Sequence, residues 1–470
     1  MLMKKPKYTL LKLMIAISAF MFAHACHAQT NNNPSLLDYG NYGVNMNRQQ
    51  LNRGSFNQGN LHIGSLKIHP SFHEKVMYDD NIYRVSGTHR KMQGQDSITT
   101  NTSRENESKE SDIINIASPG LRLELPLGER FLYGKIKKLG LNWQSDIRTY
   151  MDDNASQNAD NHYIVGSVTL EVLKGFDLTL NQNFQHTNTG SGSETDQLHR
   201  RNTNSSGIAL RMSQIIHSLK KLDIEVAYRN FDQDYSETQL ERANRNQDDY
   251  SFNLYYTLTP KLSINSKYTY SVIEYDKDRA EAGINTDALS DSHTNTITGG
   301  VVWKATAKTT GHFNIGYTDR EYEKNVHQGY DSDPSALWDT SDVNSFVMDG
   351  GVTTRLPWNT ILDINVYRQL REAEFTAKSN SFFSTGGSFT LSNKFRKLNS
   401  AFTANYFVTD FKGVNRNDNI ISLAFNTSYA ITKWSQVEAG YSWRKKDTNI
   451  DFDREDEEIN QAYFGLGFGL

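Results

Sequence analysis

Between Tyr250 and Tyr275 the chain alternates so strictly that few folds can accept it. Tyr250, Phe252, Leu254, Tyr256 and Leu258 fall on one side of an extended segment, and Ser251, Asn253, Tyr255 and Thr257 on the other. After Thr259-Pro260-Lys261 the pattern resumes, with Leu262, Ile264, Tyr268, Tyr270 and Val272 set against Ser263, Asn265, Lys267, Thr269 and Ser271. A period of two belongs to a β-strand with one apolar and one polar face. Proline ends ladder pairing and suits a tight turn. The stretch predicts a β-hairpin.

Eighteen such segments follow one another from Leu66 to Leu470. The first places Leu66, Ile68, Phe72, Val76 and Tyr78 on its apolar side; the fourteenth places Phe383, Phe389, Leu391 and Phe395 there. Short links (Leu173 to Gly175, Thr259 to Lys261, Pro357 to Asn359, Arg396-Lys397, Thr432 to Trp434) alternate with long polar ones. The long ones run from Asp79 to Asp112, Thr187 to Asn202, Asp232 to Asp248, Asp276 to Ser292 and Glu321 to Val343. This predicts an all-β, up-and-down antiparallel transmembrane β-barrel of about 18 strands, with short periplasmic turns and long extracellular loops. Both termini then lie at the periplasmic rim. An even strand number closes the sheet without leaving an edge in the membrane.

Composition agrees with this reading and with few others. Of 470 residues only 37% are hydrophobic, yet 24 are Tyr and 23 are Phe. A soluble sandwich of this size needs more aliphatic filling, and disordered chains lack aromatics. A barrel with a polar lumen and aromatic girdles accounts for both features.

The N-terminus reads as a secretory signal peptide over residues 1–28. Lys4, Lys5 and Lys7 precede an apolar run from Leu10 to Ala23, and Cys26-His27-Ala28 offers a cleavage site before Gln29. Reading Cys26 as a lipoprotein anchor is disfavoured, because His24 occupies a position where a small residue belongs. Cleavage there would leave a mature chain without cysteine, hence without disulfides or a thiolate nucleophile. Losing the leader's four lysines would move the formal charge from −4 to −8, a balance unsuited to nucleic-acid binding. Residues 29–65, rich in Asn, Gln and Gly, are expected to form a flexible periplasmic arm, leaving 66–470 as the barrel.

Polar residues alternating with the apolar ones are expected to line an aqueous lumen. They are Asn142, Gln144, Asp146 and Arg148; Asp223, Glu225 and Arg229; Lys267; Asp349; Asp363 and Asn365; and Gln436, Glu438 and Arg444. A charge on the lipid face near the midplane costs about 2–4 kcal/mol, so the alternation settles which face is wet.

His69-Pro70-Ser71-Phe72, Tyr78-Asp79-Asp80-Asn81-Ile82-Tyr83 and Ser118-Pro119-Gly120-Leu121 together resemble the opening of an outer-membrane β-barrel porin family, the beta-barrel porin 2 type. The likeness extends as a texture over roughly residues 66–470. It departs at the end, where barrels of this kind commonly finish in Phe or Trp and this chain finishes in Leu470. The resemblance implies an envelope barrel linked to exopolysaccharide biosynthesis and export, and it brings no catalytic residues. Its implied partners are outer-membrane lipid and lipopolysaccharide, the barrel-assembly machinery, and polysaccharide or export-complex proteins. No cofactor is implied.

Other chemistry is weakly signalled. Gly128 to Lys135 has the wrong spacing for a phosphate loop and reads as a periplasmic turn. Gly190 to Ser193 reads as a loop tip, not a nucleophile elbow. Asp79-Asp80-Asn81 and the acidic run of Asp451, Asp453, Glu455, Asp456, Glu457 and Glu458 could offer Ca²⁺ hard oxygens, against the plainer reading of solvated acidic loops. His69, His162 and His312 read as lumen or rim residues without metal spacing. Tyr150, Tyr255, Tyr367 and Tyr463 are candidates for stacking on sugar rings. No spacing singles out a nucleophile–base pair, so a passive conduit in the Gram-negative outer membrane is expected, not an enzyme. The alternative is a structural or adhesion barrel with a closed lumen, acting through its outer loops.

Overall fold

The computed structural model describes residues 61–82, 111–125, 130–131, 134–151, 158–188, 200–213, 221–236, 243–276, 291–323, 342–373, 379–413, 415–449 and 457–469. Eighteen long strands form one antiparallel sheet that closes on itself. They are β1 (Leu66–Asp79), β2 (Asp112–Leu125), β3 (Gly134–Tyr150), β4 (Ala159–Leu173), β5 (Phe176–Asn188) and β6 (Arg200–Ser213). Next come β7 (Leu222–Tyr235), β8 (Arg245–Thr259), β9 (Leu262–Tyr275), β10 (Ser292–Lys304), β11 (Thr309–Tyr322) and β12 (Val343–Leu356). The last are β13 (Thr360–Glu372), β14 (Ser381–Phe395), β15 (Leu398–Phe411), β16 (Asn417–Ala430), β17 (Ser435–Thr448) and β18 (Glu457–Gly469). Each pairs with its neighbour in the chain, and β1 pairs with β18 from Ser71↔Gly469 to Asp79↔Gln461.

The strands run longer than the alternation alone suggests. Residues 187–188, 200–202, 232–235 and 245–248, which read as loop, belong to strands β5 to β8. At 13 to 17 residues each strand exceeds the roughly 9–11 that cross a bilayer, so the sheet stands proud of the membrane at its long-loop end. The link around Gly128 holds a two-residue ladder, Arg130–Phe131 against Gly134–Lys135. His62–Ile63 folds back on Leu66–Lys67 through Gly64, whose φ of 62° suits a residue without a Cβ. The leader, the arm before Leu61, the loop at 190–193, the acidic residues 451–456 and Leu470 lie outside the described residues.

One face of the sheet carries the exposed apolar side chains, among them Tyr78, Val226, Tyr250, Ile315, Phe346, Tyr406 and Phe464. The opposite face makes contacts that skip strands: Asn265 of β9 hydrogen-bonds Asn314 of β11 (2.9 Å), and Tyr275 of β9 reaches Glu372 of β13 (3.1 Å). Only a face lining the inside of a closed sheet can do this, so the apolar belt meets lipid and the polar face forms the lumen.

The Tyr78-Asp79-Asp80-Asn81 motif closes the barrel. Asp79 is buried and accepts from the Gln461 amide (2.7 Å) and the Asn81 backbone N–H (3.0 Å). Asp80 accepts from the Asn460 backbone N–H (2.6 Å) and side-chain amide (2.8 Å), while Asn81 donates to the Glu458 carbonyl (3.0 Å). These oxygens are occupied stapling β1 to β18, and the described residues contain no metal-type cluster. The motif is a seam latch, not the solvated acidic loop or cation site its composition suggests. Hydrogen bonds to charged groups contribute about 1.5–3 kcal/mol each. Asp80→Ala is therefore expected to lower the temperature at which the unboiled, fast-migrating gel form is lost, with Asp80→Asn retaining part of the difference.

Candidate functional site: the lumen and its outer mouth

All fourteen polar positions named above stand on the lumen face, but they do not gather into one site. Asp146 accepts from the Ser118 hydroxyl (2.8 Å) and the Gln144 amide (3.1 Å), next to buried Arg148; Asn142 shares their face. Ser118 and Gly120 face inward, while Pro119 between them faces lipid. Asp223 pairs with Arg211 (2.7 Å), Glu225 accepts from Asn253 (3.0 Å), and Arg229 pairs with Asp249. Asp349 meets Asn314 (3.1 Å) and His312 (3.1 Å); Asp363 accepts from Thr353 (2.5 Å); Asn365 donates to Ser388 (3.3 Å). Arg444 pairs with Glu457 (3.1 Å). Lys267 stands exposed inside the barrel.

Glu438 and Gln436 belong to the seam. Glu438 meets His73 (3.1 Å) and Lys75 (3.6 Å) of β1 from β17, across the whole width of β18, and Gln436 donates to it. The reach is possible because Gly465 and Gly467 face the lumen between them. A Cβ on Gly467 would stand 2.8 Å from His73 Nδ1 and 3.1 Å from Glu438 Oε1.

The lumen is not uniformly wet. Most of the described apolar side chains with almost no exposure gather at the long-loop end, in groups that point inward. Met77, Ile82, Ile114, Ile116 and Tyr150 form one group; Tyr235, Ala243, Ile273 and Tyr275 another; Tyr367, Phe407 and Ile420 a third, in one row with Gly386. Tyr150 and Tyr367 are thereby buried against neighbours and offer no face to a sugar ring. Tyr463 packs onto the first group under Lys75, which leaves Tyr255 half-exposed beside Arg211. Buried charges stiffen the same end: Asp418 holds Arg416 by two hydrogen bonds (2.9 and 3.0 Å), with Lys446 at 4.0 Å.

The largest departure from a plain cylinder lies between β12 and β13. Their ladder stops at Met348↔Arg368, although β12 begins five residues earlier at Val343 and β13 runs four further, to Glu372. Beyond that point the ends of β13 and β14 pass inside the wall. Phe383, which the alternation assigns to lipid, is 1% exposed and packs with Leu370 against Tyr322, Val343 and Val347, all on the inner face of β11 and β12. Glu372 meets Arg320 of β11 and the Tyr275 hydroxyl, while Phe382, on the other side of the tucked end, packs on Phe411 and Ala373. Below it lies a lumen cavity of about 770 Å³.

Arg320 and Glu372 carry no local sequence signal, since nothing in their spacing shows that β11 and β13 meet across the lumen. Arg368 does: it ends the outward series Leu362, Ile364, Val366 with a charge.

Residues 91–466 match the family described as "Putative beta-barrel porin 2". The chain belongs to that family. A beta-barrel porin 2 protein with a closed transmembrane sheet is a porin-like barrel of the Gram-negative outer membrane. No curated protein matches the sequence. Among solved structures the chain is similar to Acinetobacter baumannii OccAB4 (10% identity, 88% of this chain, 99% of that one, TM-score 0.43). It is also similar to A. baumannii OccAB2 (10%, 89% and 99%, 0.46). A third is Pseudomonas aeruginosa OccK2 (OpdF), solved in complex with glucuronate (7%, 87% and 98%, 0.46).

Proposed function

We propose that this beta-barrel porin 2 protein is a conduit for hydroxylated polymer, serving exopolysaccharide export or a related step of envelope biogenesis. The observation that carries the reading is the chemistry of the cavity wall. Asn181, Ser205, Thr269, Thr296 and Thr318 present amides and hydroxyls to it, among charged side chains in which cations such as Arg229, Arg245 and the exposed Lys267 outnumber the carboxylates Asp249, Asp349 and Glu372. Neutral donors and acceptors match the hydroxyls of a sugar chain and exchange readily with water, as a conduit requires. The protein reaches the membrane through a leader cleaved after Ala28, with residues 29–65 as a periplasmic arm. It is inserted by the barrel-assembly machinery and surrounded by lipopolysaccharide, with export-complex proteins as its partners. The described residues that line the cavity include no histidine or cysteine, and transport is the reading. In planar bilayers the barrel is expected to conduct, and neutral oligosaccharides are expected to block the current with a dependence on chain length. Ion current without any sugar block would overturn the polysaccharide reading.

The packed outer mouth favours a second reading, a closed barrel whose outer loops do the work. In that case deleting residues 189–199 or 324–341 abolishes surface binding and leaves permeability untouched.

A further inference from the structure

We propose that the fork between β12 and β13 is a lateral site for an anionic amphiphile of the outer leaflet, with Arg368 holding its head group at an opening that leads to the lumen cavity. The inference does not depend on the polysaccharide reading.

Three observations carry it. First, this is a break in the wall, not a frayed end. The other seven short-turn hairpins stay paired to within three residues of their outer strand ends, as in Arg245↔Tyr275 and Phe382↔Phe411. Among the described residues of these hairpins, only here do two outer strand ends, Val343–Val347 and Gln369–Glu372, run on without a rung between them. Unpaired strand edges are poorly tolerated in hydrocarbon, so the break needs a polar occupant or a polar lining.

Second, the fork lies at the right depth. Arg368 shares its row with Met348 and Thr385, one outward position below Phe346, which is 49% exposed and pairs with Tyr317 of the outer aromatic belt. Aromatic belts mark the boundary between head groups and acyl chains.

Third, Arg368 is prepared for an anion and lacks one. Its guanidinium lies over Phe346 (4.8 Å) and Phe383 (4.4 Å) and donates to Thr385 (2.8 Å) and Ser345 (3.5 Å). Its Nε is buried without a hydrogen-bond partner, and no described carboxylate pairs with it. A cation held between two aromatic rings without a described counter-charge fits a carboxylate or phosphate carrying an acyl chain. Just inside the fork, Val347, Leu370 and Phe382 line the cavity, so a chain entering beside Arg368 meets apolar wall.

The test uses the full barrel in detergent, with oleate and lysophosphatidate as the carboxylate and phosphate probes and monoolein as the uncharged one. Arg368→Gln is expected to weaken binding of the probe whose head group fits by about tenfold or more. Monoolein binding should not change, and Arg368→Lys should retain part of the affinity. Loss confined to oleate identifies a fatty acid, and loss confined to lysophosphatidate identifies a lipid phosphate. Equal binding to wild type and Arg368→Gln, with the gel shift showing both folded, would overturn the head-group site. In a background with Cys26 replaced by Ser, Val347→Cys and Gln369→Cys occupy the first rung beyond the break. Their oxidation is expected to exclude a fluorescent fatty acid from the lumen, and reduction to restore entry. Equal loading of the oxidised and reduced barrels would overturn the portal.

Discussion

Replacing Glu372 with alanine should widen the path through the outer mouth and raise the conductance of the barrel. Glu372 and Arg320 are 7% and 6% exposed and hold the inward-tucked end of β13 against β11, with the Tyr275 hydroxyl as a third contact. Removing Glu372 leaves Arg320 buried without a counter-charge, with only the neutral Thr294 and Tyr322 hydroxyls as acceptors, which costs about 3–5 kcal/mol. That shifts the balance between tucked and released arrangements by roughly two to four powers of ten. The released arrangement frees the mouth above the cavity, so single-channel conductance should rise several-fold. Replacing both partners, as Arg320→Met with Glu372→Leu, leaves no orphaned charge and is expected to keep conductance at the wild-type level. Unchanged conductance in a folded Glu372→Ala barrel would mean that the tucked end does not set permeability.

The second large effect is expected at the seam, where Gly467→Val should prevent closure. The added side chain would occupy the space through which His73 reaches Glu438, whose side chain is 1% exposed. Glu438 would then keep Lys75 at 3.6 Å as its remaining cation, in a position where a carboxylate cannot recruit bulk water. A loss of about 3–5 kcal/mol falls on the pair that completes the barrel, β1 with β18. Most of the protein should then migrate as the unfolded form without boiling. Val437→Ala, on the lipid face of the adjacent strand β17, should cost far less. A Gly467→Val protein with normal heat-modifiable migration would show that the crossing at this glycine is dispensable.

Much of this architecture was legible in the alternation. Facing follows from a period of two, because a single residue's slip would carry an entire apolar set into the lumen. Tyr250, Phe252 and Tyr268 accordingly lie on the lipid face. Link lengths disclosed the two rims. The latch was visible as Tyr-Asp-Asp-Asn but not interpretable, since its partners Asn460 and Gln461 lie some 380 residues away and meet it only through closure. Phe383 shows the opposite failure: its register is outward, yet the wall of β11 and β12 covers it.

By itself the sequence determined a sheet with two solvents, hydrocarbon on one side and water on the other. That choice is written locally, residue by residue, in side-chain polarity. Only the tertiary structure decided how open the lumen is, because packing across it joins strands β9, β11 and β13, whose relative positions no short-range pattern encodes. Closing the sheet set the distance between those strands, and that distance allowed the end of one part of the wall to fold inside another.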